Sequence, residues 1–136
     1  MGSRRVSAAY LDASALVKLF KDEPETQALR QALAHWPVRI ASELIRVEAI
    51  CTARRLDDPA MLERAKTALT RLTLLPLTAE IVDLATGEHR PALRAMDALH
   101  LASALSVREE LGAMFVYDTD LNAAASHHDL NPLAPD

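Results

Sequence analysis

Four carboxylates in this sequence sit where a solvated surface does not explain them. Asp12 ends the apolar run Ala8-Ala9-Tyr10-Leu11 and is followed two residues later by the hydroxyl of Ser14. Glu48 lies among Leu44, Ile45, Val47, Ile50 and Cys51, with Leu44 and Cys51 on its own helical face. Asp97 opens the run Asp97-Ala98-Leu99-His100-Leu101-Ala102, where Met96, Leu99 and Ala102 imply a buried face. Asp118 follows Phe115-Val116-Tyr117 and repeats the strand-end setting of Asp12. If these acids converge, their mutual repulsion raises pKa values and costs stability. A divalent cation removes that conflict, and oxygen ligands with retained waters suit Mg²⁺ or Mn²⁺. Such a site can activate water and stabilise charge on a phosphodiester under in-line attack.

Each acid also has a purely structural reading. Asp12 is equally the N-cap of the helix that follows, since Asp is a preferred cap. Ser14 either supports the carboxylate or simply starts that helix. Glu48 reads alternatively as a half-exposed residue beside Arg54 or Arg55. Asp97 reads as a cap that restarts a helix after Pro91, and Asp118 as a turn aspartate. Asp120 fits the N-cap of the last helix better than it fits a site. Glu43, in the first turn of its helix, is explained by the helix dipole.

The elements that must position these residues follow from punctuation and periodicity. Ala8–Leu11 reads as a first strand and Ala13–Phe20 as a first helix. After Lys21-Asp22-Glu23-Pro24 a second helix runs from Glu25 to about His35, and Trp36-Pro37 stops it. Val38–Ala41 is a second strand, Ser42 a helix cap, and Glu43 to about Leu56 a long helix. Asp57-Asp58-Pro59 opens another helix, Ala60 to Arg71, before a third apolar stretch, Leu72–Leu77. Thr78 caps a helix to about Glu88. A helix then resumes near Leu93 and runs to Leu111, with Gly112 as its stop signal. Ala113–Tyr117 is the fourth strand, Leu121–His127 the last helix, and Leu130–Leu133 a fifth short strand. Strands alternating with helices imply a parallel sheet covered on both faces, with ligands gathering at the carboxyl ends of the strands.

The totals fit one α/β domain over residues 1–136. At 136 residues the chain can bury one real core, and half of it is apolar with a quarter charged. Its apolar runs are too short to span a bilayer and no leader is visible, so no membrane role is expected. The lone cysteine, Cys51, excludes an internal disulfide framework, suits a cytoplasmic protein and reads as a small buried hydrophobe. Met1-Gly2-Ser3 reads as either an engineered remnant or a native start, with residues 1–5 flexible or foreign to the domain. The net charge of -4 gives no basic footprint for nucleic acid, though bound metals would supply positive charge locally.

Together these residues resemble a known family. Tyr10-Leu11-Asp12-Ala13-Ser14-Ala15-Leu16-Val17-Lys18-Leu19, Glu23-Pro24, Arg46-Val47-Glu48-Ala49, Met96-Asp97-Ala98-Leu99-His100-Leu101-Ala102 and Val116-Tyr117-Asp118 resemble the PIN-domain ribonucleases. The nearest group is the VapC-type toxins of type II toxin–antitoxin pairs. The resemblance covers essentially the whole chain and implies a three-layer α/β/α fold around a parallel sheet of about five short strands. It implies a Mg²⁺- or Mn²⁺-dependent endoribonuclease whose catalytic, metal-holding acids are Asp12, Glu48, Asp97 and Asp118. Asp120 matches a more variable further acid, and Ser14 a small hydroxylic support. By the same analogy, metal-activated water cleaves RNA to leave a 5′-phosphate and a 3′-hydroxyl, with no covalent intermediate. The expected partners are RNA, a second copy in a homodimer, and a cognate VapB-like antitoxin. The antitoxin's tail would cross the active-site groove and present a basic side chain to the acids. Lys18, Arg46 and Arg94 are the candidate RNA contacts, with Arg54, Arg55 and Arg90 behind them.

Rival readings fit less well. A two-component receiver needs an Asp after its third strand, where this chain has Leu75-Pro76-Leu77-Thr78. A haloacid-dehalogenase-like phosphatase needs the spacing of Asp118-Thr119-Asp120 after its first strand, not near the end. A solitary PIN nuclease, or a non-catalytic RNA- or protein-binding PIN module, remains the alternative. His127-His128 reads as an exposed helix end, and His100 is expected to pack in the core.

Overall fold

The computed structural model describes residues 7–136. The expectation for residues 1–5 lies outside them. The chain runs β1 (Ala8–Leu11), α1 (Ala13–Phe20), α2 (Thr26–Leu33), β2 (Val38–Ser42), α3 (Leu44–Arg55), α4 (Pro59–Thr70), β3 (Thr73–Leu75) and α5 (Ala79–Ala85). It continues through α6 (Ala95–Ser106), β4 (Leu111–Phe115), α7 (Thr119–His127) and β5 (Pro132–Leu133). The five strands form one sheet in the order β3-β2-β1-β4-β5, with every neighbouring pair parallel. β1 is central and all four of its residues are buried, as a strand covered on both faces must be.

Alternation along β1 sorts the core into two layers. Ala8 and Tyr10 face Leu101 and Ala104 of α6 and Leu121, Ala124 and Ala125 of α7. Ala9 and Leu11 face Ala15 of α1 and Leu29 and Leu33 of α2. On that second face Leu16 and Phe20 join Ile45, Ala49 and Ala53 of α3 and Ala65 of α4. The expected three-layer α/β/α arrangement is therefore present, and the carboxyl ends of β1, β2 and β4 lie side by side.

Several boundaries differ from the expectation, each for a local reason. The helix expected to run from Leu93 to Leu111 covers only Ala95–Ser106 and is followed by a short 3₁₀ turn, Arg108–Glu110. Leu111 and Gly112 belong to β4, so Gly112 is not a helix stop. A Cβ on Gly112 would lie 2.4 Å from Cζ3 of Trp36, so the glycine lets the indole lie against the strand. The helix capped by Thr78 ends at Ala85 rather than near Glu88, since Thr86 and Gly87 close it. Glu43, not Ser42, occupies the cap position of α3, yet Ser42 Oγ still accepts the Leu44 N–H at 3.2 Å. Asp118 rather than Asp120 caps α7, its carboxylate accepting the Leu121 N–H at 2.8 Å.

The Gly112–Trp36 approach predicts a stability change. Gly112→Ala must displace the indole, and overpacking of this kind costs about 1–3 kcal/mol. Urea unfolding should show a lower midpoint with an unchanged slope. Emission from the chain's single tryptophan should shift in the folded variant.

Candidate functional site

The carboxylates gather because the sheet ends there. Asp12 follows the last residue of β1 and caps α1, so the predicted cap is present and its carboxylate stands at the carboxyl end of the central strand. It is only 2% exposed. Its Oδ1 accepts the Ser14 hydroxyl at 2.7 Å and the Ala15 N–H at 3.1 Å. Ser14 Oγ in turn accepts the Tyr117 N–H at 2.9 Å, which ties the turn after β1 to the residues just before Asp118.

Burial pushes the Asp12 carboxyl from its usual 3.8 up to about 6. Nearby His100, the Ser14 hydroxyl and the Ala15 N–H oppose the rise, and the charge of Asp97 adds to it. Asp97 stands in the first turn of α6, three residues past its cap position at Arg94, and is not itself the cap. It is half-buried, and no hydrogen bond or ion pair engages its carboxylate among the described residues. Burial raises its pKa first, and Asp118 and Glu48 raise it further. The four predicted acids thus feel one another at one edge of the sheet.

Glu48 reaches this edge from the second turn of α3. The buried stripe of that helix is Ile45, Ala49 and Ala53. Leu44 is only half-buried while Cys51 and Val47 are exposed, so Glu48 borders the buried stripe rather than sitting inside it, and the expectation of a buried Cys51 is corrected. Its Oε1 lies 2.6 Å from Nε2 of His100. His100 is 1% exposed, as a core residue would be, but it is polar-bonded on both nitrogens, with Nδ1 2.8 Å from the Tyr10 hydroxyl. Sequence spacing placed it near Asp97 and gave no sign of its partner 52 residues away. Asp118 and Asp120 are exposed. The first spends Oδ1 on its helix cap.

The donor chemistry fits a hard divalent cation. Every candidate ligand atom is an oxygen; Asp12 Oδ2, both oxygens of Asp97 and Asp118 Oδ2 carry no internal hydrogen bond among the described residues. Among the described residues the acids are not drawn into a ready-made cage of three or more ligands. Mg²⁺ keeps several waters and takes one or two carboxylates directly.

The expected RNA contacts fare unevenly. Arg46 and Arg94 are exposed. Lys18 is committed elsewhere: its Nζ lies 2.9 Å from Glu25 and 3.6 Å from Glu23, and 4.7 Å above the Tyr117 ring. His127 is exposed at the last turn of α7, as expected for a helix end. A cationic group not foreseen from sequence lines a cleft of about 530 Å³ between α1, α2 and α4. Arg30, Arg39, Arg64 and Arg71 rim it over a floor that includes Phe20 and Leu33. These arginines come from three separate segments, α2, β2 and α4 with its C-cap, so no run of charge marks them.

A fold with acids converging at the carboxyl edge of a five-stranded parallel sheet defines a class, and comparison with known proteins agrees. The PIN domain family model matches residues 9–126. Ribonuclease VapC46 of Mycobacterium tuberculosis is 38% identical over 132 residues, covering 96% of this chain and 99% of that protein. Ribonuclease VapC47 of the same species is 40% identical over 113 residues, covering 80% and 83%. Among solved structures, a toxin–antitoxin complex from Klebsiella pneumoniae superposes with a TM-score of 0.72 at 21% identity, covering 95% of this chain and 98% of that one. This chain belongs to the PIN domain family, in its VapC-type group.

The strained state of Asp12 has a measurable consequence. Its folded-state pKa lies above the unfolded value, so the protein binds more protons folded than unfolded between about pH 4 and 6. In metal-free protein this contribution is fully present below pH 4 and lost as pH rises through 6, at a cost of about 3 kcal/mol. Asp12→Asn keeps an Oδ1 acceptor for Ser14 and Ala15 and removes the charge. Thermal unfolding in EDTA should show the variant more stable than the parent at pH 7.5, with the difference vanishing near pH 4.

Proposed function

We propose that this chain is a divalent-metal-dependent endoribonuclease and the toxin of a VapBC-type pair. The observation that carries the reading is Asp12: a carboxylate almost fully buried at the end of the central strand, with Asp97, Glu48 and Asp118 close enough to raise the pKa values around it. Such a group is costly without a cation beside it. The relatives' name, ribonuclease, supplies the reaction class. Asp12, Glu48, Asp97 and Asp118 would hold Mg²⁺ or Mn²⁺, and Asp120, exposed beside Asp118, would assist. When bound, the cation supplies electrophilic assistance at the phosphodiester and makes water nucleophilic at neutral pH.

The chain's own residues divide the remaining work. Ser14 and the Ala15 N–H fix Asp12 Oδ1 and leave Oδ2 without an internal hydrogen bond among the described residues. The cap on α7 fixes Asp118 in the same way. Arg94, just before Asp97, and Arg46, beside Glu48, are the exposed cations best placed to receive RNA phosphates. Homodimer formation belongs to the same reading. The exposed apolar side chains Val47 and Leu77, next to half-buried Ile50, support it on the α3 surface.

The arginine-rimmed cleft supports the antitoxin partner. It lies toward the amino end of β2 and β3, away from the acids, since Arg39 opens β2 and Arg71 precedes β3. Burial, and after it the neighbouring charge of Arg71, hold the Arg39 guanidinium below its usual pKa on one side of the cleft, and Asp22 is the one acid lining it among the described residues. An apolar floor under several guanidinium groups fits an acidic, amphipathic protein segment.

Two expectations test this reading. Asp97→Asn and Glu48→Gln should each lower Mn²⁺-dependent RNA cleavage by at least about a hundredfold with an unchanged circular dichroism spectrum. Intact cleavage in both would overturn the assignment of these acids to the catalytic site, and a parent chain that leaves RNA uncut would overturn the nuclease assignment. Arg64→Glu with Arg71→Glu should weaken co-purification with the cognate antitoxin more than tenfold while leaving RNA cleavage unchanged. Loss of RNA binding instead would assign the cleft to substrate.

A further inference from the structure

His100 is buried, polar and unexplained by packing. Its two ring nitrogens are both engaged, each by a different layer of the molecule. Nε2 lies 2.6 Å from Glu48 Oε1 on α3, and Nδ1 lies 2.8 Å from the hydroxyl of Tyr10 on β1. An ionised carboxylate can only accept, so the proton on this side belongs to Nε2. The Tyr10 oxygen already accepts the Ser42 N–H at 3.2 Å, which leaves its own O–H to donate to Nδ1. The chain of donors runs Ser42 N–H to Tyr10, Tyr10 O–H to His100, His100 Nε2–H to Glu48. Every member but the last is fully buried, at 0% for Ser42, 0% for Tyr10 and 1% for His100.

The direction of this chain matters. Tyr10 is two residues before Asp12 on the central strand, and His100 is three residues after Asp97 on α6. Glu48 comes from a different helix on the other face of the sheet, no cap or backbone N–H holds it among the described residues, and His100 is the group bonded to its carboxylate. A Glu side chain has more free rotation than Asp and needs an external partner to aim it. We propose that His100 is a positioning residue for Glu48: held in one ring orientation and tautomer by Tyr10, it aims the Glu48 carboxylate at the edge where Asp12 and Asp97 present theirs. This rests on the site reading given above, because it assigns a role relative to those acids. A histidine used merely as packing would not need two polar partners, and a leucine of similar size would serve.

The rule for such supporting groups is that their loss costs about 10–100-fold in metal affinity or activity. The test contrasts two amides in the same pocket. His100→Gln places its amide nitrogen where Nε2 stood and keeps a donor for Glu48. His100→Asn places it where Nδ1 stood and stops short. Mn²⁺ affinity, followed by the electron paramagnetic resonance of free Mn²⁺, is read on the full chain of each variant beside thermal unfolding. His100→Asn is expected to bind Mn²⁺ about tenfold more weakly, with His100→Gln restored toward the parent. Tyr10→Phe keeps the ring but frees its orientation and should give a smaller loss of the same sign. Placing Glu48→Gln in the His100→Asn background should add no more than Glu48→Gln alone. Equal Mn²⁺ affinity in parent, Asn and Gln variants, with Asp97→Asn still defective, overturns the positioning role and leaves the nuclease reading standing. A parent chain that neither binds Mn²⁺ nor cleaves RNA overturns both. Equal losses in Asn and Gln variants, tracking their loss of thermal stability, identify His100 as structural and overturn the proposal.

Discussion

The structure depends on one awkward group, the carboxylate of Asp12 at the end of the innermost strand. β1 is buried on both faces and flanked by β2 and β4, so the residue that follows it emerges at the middle of the sheet edge with little water around it. A neutral cap there would satisfy the start of α1 equally well. An aspartate also brings a charge into a place where burial raises its pKa, and His100, Ser14 and the Ala15 N–H offset that rise only in part. The surrounding bonds hold the group still without quenching it. Ser14 and Ala15 donate to one oxygen only, and Ser14 passes the constraint on to the backbone after β4.

From that anchor the positions of the other acids follow as consequences of topology. Parallel strands end side by side, so the segment after β4 places Asp118 next to the segment after β1. α6 packs across the sheet through Leu101 and Ala104, which sets the first turn of α6, and Asp97 with it, at the same edge. α3 leaves the end of β2 and packs Ile45 and Ala49 on the opposite face. Glu48 therefore approaches from across the edge, and the Tyr10–His100 pair is the link between the two layers at that point.

What sequence revealed and what it concealed divides along physical lines. Apolar runs ended by an acid located β1 and its site residue, and cap chemistry located the starts of α1 and α5 at Asp12 and Thr78. These signals are local, carried by residues a few positions apart. Gly112 was misread because the same residue type serves a helix stop and a close approach, and the approach is made by Trp36 from a distant loop. Asp118 and Asp120 are both acceptable caps two residues apart, and only the geometry after β4 chooses the first. Cys51 reads as apolar by type, yet it falls on the outer face of α3. The His100–Glu48 bond and the four-arginine cleft join segments far apart in the chain, so no window of sequence contains them.

The small net charge hides a strong internal polarity. Acids collect at the carboxyl edge of the sheet, and arginines collect around the cleft toward its amino edge. Averaged over 136 residues the two nearly cancel, leaving -4. The local fields do not cancel, because the two groups are separated by the length of α1, about 12 Å, more than a Debye length at physiological salt. A polyanion is repelled by the acid edge unless a cation stands there first, so the same charges that would hold a metal also make its presence a condition for approach of a phosphodiester. The opposite edge favours an acidic partner with no metal at all. On the reading proposed here, the cleft takes an acidic antitoxin segment without a metal, whereas a phosphodiester reaches the acid edge only when a cation stands there. A partner can grip the basic side firmly and still extend a basic residue to the acids, inhibiting the site without imitating the substrate.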